Sequence, residues 1–196
     1  TGPSKALSVP LKAMVAFQAY TRDAVDLRPE DAFWNVADPG WAYGLYYALT
    51  GPLLLGQATI FYEGGFTAES TCRIIERLGV TSLAGSPTAY RLLMAAGPET
   101  VAGIKGRLRV VSSAGEPLNP EVIDQVRTAW GLTIRDGYGQ TETTLQLATL
   151  PFMKPKPGSI GRPMPGWDLV LLNDEDQPCP PGEEGEICIR LKDGAT

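Results

Sequence analysis

The chain has 196 residues, of which 43% are apolar and 20% are charged, as in an ordinary globular protein with a sizeable core. Its formal charge of -5 and its pI of about 4.8 argue against nucleic acid or an anionic membrane surface as a partner. No apolar run is long enough to span a bilayer, no secretory signal is visible, and the three cysteines have neither metal nor redox spacing, so we expect a cytoplasmic protein with reduced thiols.

Apolar spacing, capping residues and β-rich runs predict alternating helices and strands over the first part of the chain. In chain order, the predicted elements are a helix (10–26), a strand (31–36), a buried helix (41–55), a β-rich run (57–62), a helix (67–78), a strand (80–84), a helix (87–96), a strand (108–112), a helix (120–130) and a strand (132–135). Thr67 and Asn119 are the predicted caps, and Gly79 and Gly131 the predicted stops. This alternation predicts an α/β fold, a mostly parallel sheet flanked by helices on both faces.

The composition changes at Pro151, after which prolines and glycines are frequent and only two strands are predicted, over residues 168–172 and 186–191. We therefore divide the chain into an α/β subdomain, residues 1–150, and the incomplete start of a β-rich subdomain, residues 151–196. The chain has no initial methionine and ends just after a predicted strand, so we expect it to be a fragment of a larger protein.

Histidine is absent from the chain. Its absence removes the commonest general base, the Ser-His and Cys-His nucleophile systems, and histidine metal ligands. Chemistry in this chain must therefore use hydroxyls, carboxylates, lysines, backbone donors and a bound cation.

Three candidate motifs follow predicted strands of the sheet, at residues 85–88, 112–118 and 136–142. Open parallel sheets bind ligands beyond the carboxyl ends of their strands, so this agreement in location favours a shared site. In the last motif, Tyr138 offers a planar ring for a base, Thr141 a donor for a phosphate and Glu142 an anion for a metal. The alternative is an ordinary turn and helix N-terminus, with Thr141 as the cap and Glu142 complementing the helix dipole.

The segment 113–117 is the second motif that fits a nucleotide. Gly115 allows a close backbone approach and Pro117 fixes the exit, so a flat purine could lie against it. The alternative, favoured on this segment alone, is an ordinary connection between a strand and a helix.

Two more segments have a functional and a structural interpretation. Residues 38–47 are rich in aromatic side chains and form either a wall of an apolar acid-binding pocket or a core helix, and the core is favoured for Tyr46 and Tyr47. Residues 1–5 form either the end of a glycine-rich phosphate loop, with Lys5 as a point charge, or a disordered terminus.

Together these motifs resemble the adenylate-forming ligases, the superfamily of acyl-CoA synthetases, luciferases and peptide-synthetase adenylation domains, over essentially the whole chain and in the family's order. The matching segments are the end of the phosphate loop (1–5), the aromatic segment beside the acid pocket (37–41), the adenine-side loop (114–117), the highly specific signature loop (138–142) and the strand that follows it (185–189). Residues 38–41 favour the acyl-CoA synthetase branch over the nearest rival, a peptide-synthetase adenylation domain.

The resemblance implies a role for each residue of these motifs. It implies that Tyr138 stacks on adenine, that Thr141 contacts the AMP phosphate and that Glu142 holds Mg²⁺. Nucleotide contacts are also implied for Gly115, Glu116, Pro117, Asp136, Gly137, Gly139 and Gln140. Lys5 would touch the pyrophosphate end of ATP and join Thr141 and Glu142 as a catalytic residue, and Trp41 and Gly139 would lie at the substrate pocket.

The implied reaction has two steps. A carboxylate attacks the α-phosphate of ATP to give acyl-AMP and pyrophosphate, and a thiol, most often coenzyme A, then displaces AMP. Positioning and charge neutralisation do most of this work, which is compatible with a chain that lacks histidine. The first part of the family's large domain, its ribose-binding Tyr-Arg-Thr-Gly-Asp segment and its small domain with the catalytic lysine are missing, so we expect the isolated chain to complete neither step.

The acid is inferred from one departure within the family. Acetate-specific members usually carry, where this chain has Gly139, a tryptophan that closes the pocket. Glycine leaves room there, so we expect a medium-length or aromatic carboxylate. Leu11, Gln57 and Gly137 stand where relatives often have histidine. A non-catalytic nucleotide-binding folding unit remains an alternative, whereas a Rossmann-type oxidoreductase is excluded because no glycine fingerprint follows a first strand.

Overall fold

The computed structural model describes residues 6–191, and the chain divides into two compact units, Thr1–Arg162 and Pro163–Thr196. The helices of the first unit are α1 (Ala13–Asp23), α2 (Ala42–Gly44), a π-helical turn (Leu45–Thr50), α3 (Gly51–Leu54), α4 (Ala68–Leu78), α5 (Pro87–Ala95), α6 (Pro98–Val101), a 3-10 turn (Ala102–Ile104) and α7 (Pro120–Trp130). The strands are β1 (Phe33–Asn35), β2 (Ser82–Gly85), β3 (Val110–Ala114), β4 (Arg135–Gln140), β5 (Thr144–Ala148) and β6 (Arg162–Pro163), then β7 (Leu169–Leu172) and β8 (Glu186–Ile189) in the second unit.

The main sheet has six strands in the order β1-β2-β3-β4-β5-β6. Strands β1 to β4 are parallel, and β5 runs antiparallel to β4. The second unit contains a separate antiparallel pair, β7 and β8. The predicted α/β class, a mostly parallel sheet with helices followed by β structure, is confirmed. Parallel strands joined by helices leave their carboxyl ends at one edge of the sheet, and that edge carries the candidate site.

The main core lies between the sheet and helices α4, α5 and α7, and two of its large aromatic side chains are hydrogen-bonded to backbone carbonyls. Tyr90 is 1% exposed, and its hydroxyl lies 3.1 Å from the carbonyl oxygen of Leu83 and 2.9 Å from that of Ser112. Trp130 donates its ring N–H to the carbonyl of Val101 at 3.2 Å. These bonds allow large aromatic side chains to be buried without leaving a polar atom unpaired.

Aromatic side chains fill the region between α1 and the helical segment 42–54. Phe17 stacks on Tyr46 with ring centroids 4.2 Å apart, and Tyr20 packs against Tyr47 at 4.8 Å. Tyr46 and Tyr47 are 6% and 1% exposed, so their interpretation as core residues is confirmed. Among the described residues, no helix has the length and apolar character that crossing a bilayer requires.

Local capping chemistry explains several helix boundaries. The Thr67 side chain accepts the Ser70 N–H at 3.0 Å, the Ser70 hydroxyl accepts the Thr67 N–H at 3.2 Å, and Gly79 ends α4 at φ +63°. Gly131 ends α7 at φ +76°. The predicted cap and both stops are confirmed. Asn119 occupies the N-cap of α7 as predicted, although its side chain makes no cap hydrogen bond.

Three predicted elements differ from the observed ones. The β-rich run 57–62 forms only an isolated bridge between Phe33 and Thr59. The predicted helix 41–55 is helical but contains a π-helical turn, in which the Thr50 hydroxyl donates to the Leu45 carbonyl at 2.9 Å. The predicted strand 132–135 is displaced, because β4 begins only at Arg135 and runs on through the glycine motif.

Candidate active site

The signature motif forms a β-hairpin. Strand β4 continues to Gln140, the chain reverses through residues 141–143, and β5 returns from Thr144. The Gln140 N–H donates to the Thr143 hydroxyl at 3.2 Å, and the Thr143 N–H donates to the Gln140 carbonyl at 3.2 Å. The alternative of a helix N-terminus with Thr141 as its cap is therefore wrong. The hairpin leaves Thr141 and Glu142 exposed at its tip.

Two glycines of the motif are required by close packing. A Cβ atom on Gly137 would lie 1.9 Å from the Tyr20 hydroxyl oxygen, and one on Gly139 would lie 1.8 Å from the Thr144 carbonyl oxygen. The space beside Gly139 is thus filled by the backbone of β5. The inference that glycine leaves room there for a longer acid loses its structural premise, because a tryptophan at this position would need the β4–β5 pairing to move.

Two adjoining cavities open at the carboxyl edge of the sheet. The larger, of about 350 Å³, is lined by Val36, Ala37, Asp38, Trp41, Tyr43, Phe66, Ser86, Thr88, Ala89, Leu92, Ala114, Gly115 and Glu116. The smaller, of about 220 Å³, is lined by Trp41, Ala42, Tyr43, Tyr46, Tyr47, Gly115, Gly139, Gln140, Thr141, Thr144 and Leu145. They share Trp41, Tyr43 and Gly115. The turn after β3 and the tip of the β4–β5 hairpin therefore border one crevice.

The structure brings together many, but not all, of the residues singled out from the sequence. Those that line a cavity are Trp41, Gly115, Glu116, Gly139, Gln140 and Thr141. Pro117, Gly137, Tyr138 and Glu142 lie on the same two segments without lining either cavity. Lys5 lies outside the described residues.

Asp136 departs most from its expected place. It lines a third cavity, of about 180 Å³, together with Arg127 and Lys154 rather than with Gly115 or Thr141. Burial raises the pKa of Asp136 to about 6, and the hydrogen bond that its Oδ1 accepts from the Gly137 N–H, at 2.9 Å, offsets only part of that rise.

Tyr43 lies in the aromatic segment 38–47, but the sequence assigned it no individual role. It lines both cavities, and burial raises the pKa of its phenol above the ordinary value, so the group stays a neutral hydrogen-bonding side chain. The only signal was its place in the aromatic-rich segment. The neighbouring Tyr46 donates its hydroxyl to the Thr141 carbonyl at 3.3 Å and so ties the helical segment to the hairpin tip. Burial first, and then the charge of Glu142, raise the pKa of Tyr46.

No three acidic or cysteine side chains within residues 6–191 form a cluster that could hold a metal ion by themselves. Mg²⁺ differs from the metals that need such cages, because it usually binds one or two carboxylates, waters and the phosphates of a substrate. The exposed Glu142 at the hairpin tip fits that kind of site.

Comparison with known proteins is consistent with this geometry. A family model described as "AMP-binding enzyme" matches residues 1–194. The chain belongs to this family. The resemblance inferred from the signature motifs is thereby confirmed.

Proteins similar to this chain include acyl-CoA synthetases and CoA ligases. The chain is 38% identical over 192 residues to the acetyl-coenzyme A synthetase of Bacillus subtilis (strain 168), covering 97% of this chain and 34% of that protein. It is 42% identical over 174 residues to 4-hydroxybutyrate--CoA ligase 1 of Metallosphaera sedula, covering 87% and 30%. The chain spans about a third of the length of the relatives it matches.

Solved structures give the same result. A crystal structure of Brucella canis acyl-CoA synthetase matches with a TM-score of 0.93 and 58% identity, covering 96% of this chain and 35% of that one. The anthranilate CoA ligase AuaEII, in complex with anthranoyl-AMP, matches with a TM-score of 0.81 and 27% identity, covering 90% and 34%. These matches confirm the fold and the family.

Proposed function

We propose that this chain is the central part of the large domain of an ATP-dependent acyl-CoA synthetase, an acid-thiol ligase that forms AMP. The observation that carries the proposal is the shared crevice: Gly115 after β3 and Thr141 at the hairpin tip line the same cavity. A site that spans two neighbouring strand ends suits a nucleotide, which has a base and phosphates to hold at once. Residues 1–150 are the proposed nucleotide-binding subdomain.

In this proposal ATP lies across the two segments. Adenine lies along Gly115, Glu116 and Pro117 and against the Tyr138 ring, and the Thr141 hydroxyl donates to the α-phosphate. Mg²⁺, held by Glu142 and the phosphates, would supply charge neutralisation when bound. Backbone and hydroxyl donors suffice for these contacts, so no histidine is needed.

The acid is proposed to occupy the larger cavity. Its lining is mostly apolar, with Val36, Phe66 and Leu92 beside Trp41 and Tyr43, and its volume of about 350 Å³ falls in the usual range for small-molecule sites. That lining favours a medium-length or aromatic carboxylate, with coenzyme A as the second substrate. The support now comes from this cavity and no longer from open space beside Gly139.

Acid-dependent turnover of a full-length enzyme that contains the chain tests this proposal. We expect thioester formation from ATP, coenzyme A and medium-length or aromatic acids, and a loss of about a hundredfold or more in kcat for Thr141→Val and for Glu142→Gln. Thr100→Val is the matched control, because Thr100 lines none of the site cavities. Full activity of both site variants would contradict the proposal.

The isolated chain gives a second test. Calorimetry with ATP and Mg²⁺, together with an assay of pyrophosphate release, should show no turnover at an enzymatic rate. If the full-length protein also bound the nucleotide without turning it over, the result would favour the alternative, a non-catalytic nucleotide-binding unit. The described cysteines are all free thiols, which is compatible with the cytoplasmic location that we propose.

A further inference from the structure

The turn at residues 115–117 is tied to helix α5 through its charged residue. Glu116 Oε2 accepts a hydrogen bond from the Thr88 hydroxyl at 2.5 Å and one from Arg91 Nη2 at 3.2 Å. The same Arg91 nitrogen also donates to the Thr88 hydroxyl oxygen at 2.5 Å. The three side chains therefore form a closed triangle between the first turns of α5 and the end of β3.

The turn has few other restraints. Gly115 has φ +94°, in the region that favours glycine, and Glu116 and Pro117 are exposed. Outside the β ladder, the described part of the chain shows no backbone hydrogen bond that involves residues 115–118. Leu118 anchors the end of the turn in the main core, and the contacts of Glu116 with α5 are the polar side-chain contacts that restrain residues 115–117.

We propose that Thr88 and Arg91 are positioning residues, which hold the 115–117 turn in its nucleotide-binding conformation by anchoring the Glu116 carboxylate. The inference rests on the proposed function and deepens it. Because the carboxylate is engaged by α5, the nucleotide meets the backbone of the turn rather than the charge of Glu116. The anchor pre-organises the turn, and pre-organisation lowers the entropic cost of binding.

The anchor acts on binding more than on stability. The side chains of Arg91 and Glu116 are 44% and 40% exposed, and ion pairs of such exposure contribute little to the free energy of unfolding. A variant that breaks the pair should therefore fold normally. Its turn would sample more conformations, and faster amide hydrogen exchange at residues 115–118 would report this without any nucleotide.

The test measures the Kd and KM of the full-length enzyme for ATP with Mg²⁺. Arg91→Gln should raise both about three- to tenfold, with kcat and Tm nearly unchanged, and Arg91→Lys should restore most of the affinity because it keeps the charge. Arg107→Gln is the matched control: it breaks the Arg107–Glu76 pair, which is similarly exposed at 42% and 68% and lines neither cavity. The control should bind ATP like the wild type.

Substitutions of Glu116 separate anchoring from direct contact. Glu116→Ala should be as weak as Arg91→Gln, and the double variant should be no weaker than either single variant, because all three remove the same anchor. The inference is overturned if Arg91→Gln binds normally, or if the effects of Arg91→Gln and Glu116→Ala multiply in the double variant, which would show that Glu116 contacts the nucleotide directly. A wild-type enzyme that binds no ATP overturns the proposed function, and this inference with it.

Discussion

Tyr20 and Gly137 are packed so closely that a Cβ atom added to the glycine would lie 1.9 Å from the phenol oxygen. Tyr20 belongs to α1 and is 4% exposed, and Gly137 is a buried residue of β4. The contact therefore sets how closely α1 approaches the strand that leads into the signature hairpin.

Gly137→Ala should lower the free energy of unfolding by about 2 kcal/mol, because a methyl group must displace either β4 or a tyrosine ring that packs against Tyr47. Chemical denaturation measures the loss. Gly103→Ala is the matched control, since a Cβ there meets open space. Adding Tyr20→Phe to Gly137→Ala removes the clashing oxygen and should recover part of the loss. Equal stability of the two alanine variants would show that the contact can relax freely.

Thr144 is the second strained position of the hairpin. It has φ +63°, which is unusual for a β-branched residue. Thr144→Gly should raise the free energy of unfolding by about 1 kcal/mol, because the backbone strain is relieved. Asp176→Gly, at φ +57°, is the matched control and should gain less, since aspartate tolerates this conformation better. If Thr144→Gly lowered the free energy of unfolding, the result would contradict the prediction that the backbone is strained at Thr144.

Local chemistry made much of this fold predictable. The Thr67 cap and the Gly79 and Gly131 stops are short-range signals, and each marks a real helix end. The run 57–62 has strand composition but needs a neighbour to pair with, and only Thr59 bridges to β1. Composition cannot report such pairing, which depends on the edge of the sheet.

The site was predictable where its residues follow strands and hidden where they come from helices. Gly115 and Thr141 were found because strand ends meet at one edge of a parallel sheet. Tyr43 and Thr88 lie inside the motifs 38–47 and 85–88, but the sequence assigned neither an individual role. Arg91 was missed, because only tertiary packing brings its side chain to that edge and no single-sequence pattern distinguishes it from other helix residues.

An ion pair at the amino-terminal ends of the strands, away from the candidate site, predicts that stability is lost in a pH-dependent way when it is broken. Arg109 donates to Asp31 at 3.0 Å and 2.5 Å, and the carboxylate side chain is 1% exposed. Burial alone raises the pKa of Asp31, but the hydrogen bonds from Arg109 and its other partners outweigh burial, so the net pKa is lowered. A carboxyl whose pKa is lower in the folded state stabilises the fold at pH values above its pKa in the unfolded chain, about 3.9. This stabilisation is lost as the pH falls through the pKa of the folded state.

Arg109→Leu should therefore cost about 3 kcal/mol at pH 7, because it removes the charged partner of Asp31 and also that of Asp26, to which Arg109 donates at 2.7 Å. The deficit should shrink as the pH is lowered towards 3, where both carboxylates are protonated in the variant. Urea denaturation across this range measures both effects. The matched control is Arg22→Leu, which breaks a pair with Asp23 that is 59% and 31% exposed and should change little. A deficit that does not vary with pH would exclude Asp31 and Asp26 as its source.

Asp136 lies on β4, the strand that carries the signature motif, and its contribution to stability should depend on pH in the opposite sense to that of Asp31. Burial raises its pKa to about 6, above the value of about 3.9 expected in the unfolded chain. The folded state then holds this proton to a higher pH than the unfolded state does. The contribution of Asp136 to the free energy of unfolding is therefore most favourable below about pH 4. It declines as the pH rises to about 6 and is constant above that pH.

Asp136→Asn removes this titration and keeps an oxygen that can accept the Gly137 N–H. We expect the variant to be more stable than the wild type by about 2 kcal/mol above pH 6, and the advantage to vanish near pH 4. Denaturation midpoints between pH 4 and pH 8 measure the difference. Asp174→Asn, at an exposed position of the second unit, should keep the wild-type profile. If Asp136→Asn retained the wild-type slope between pH 4 and pH 6, another group would have to carry it.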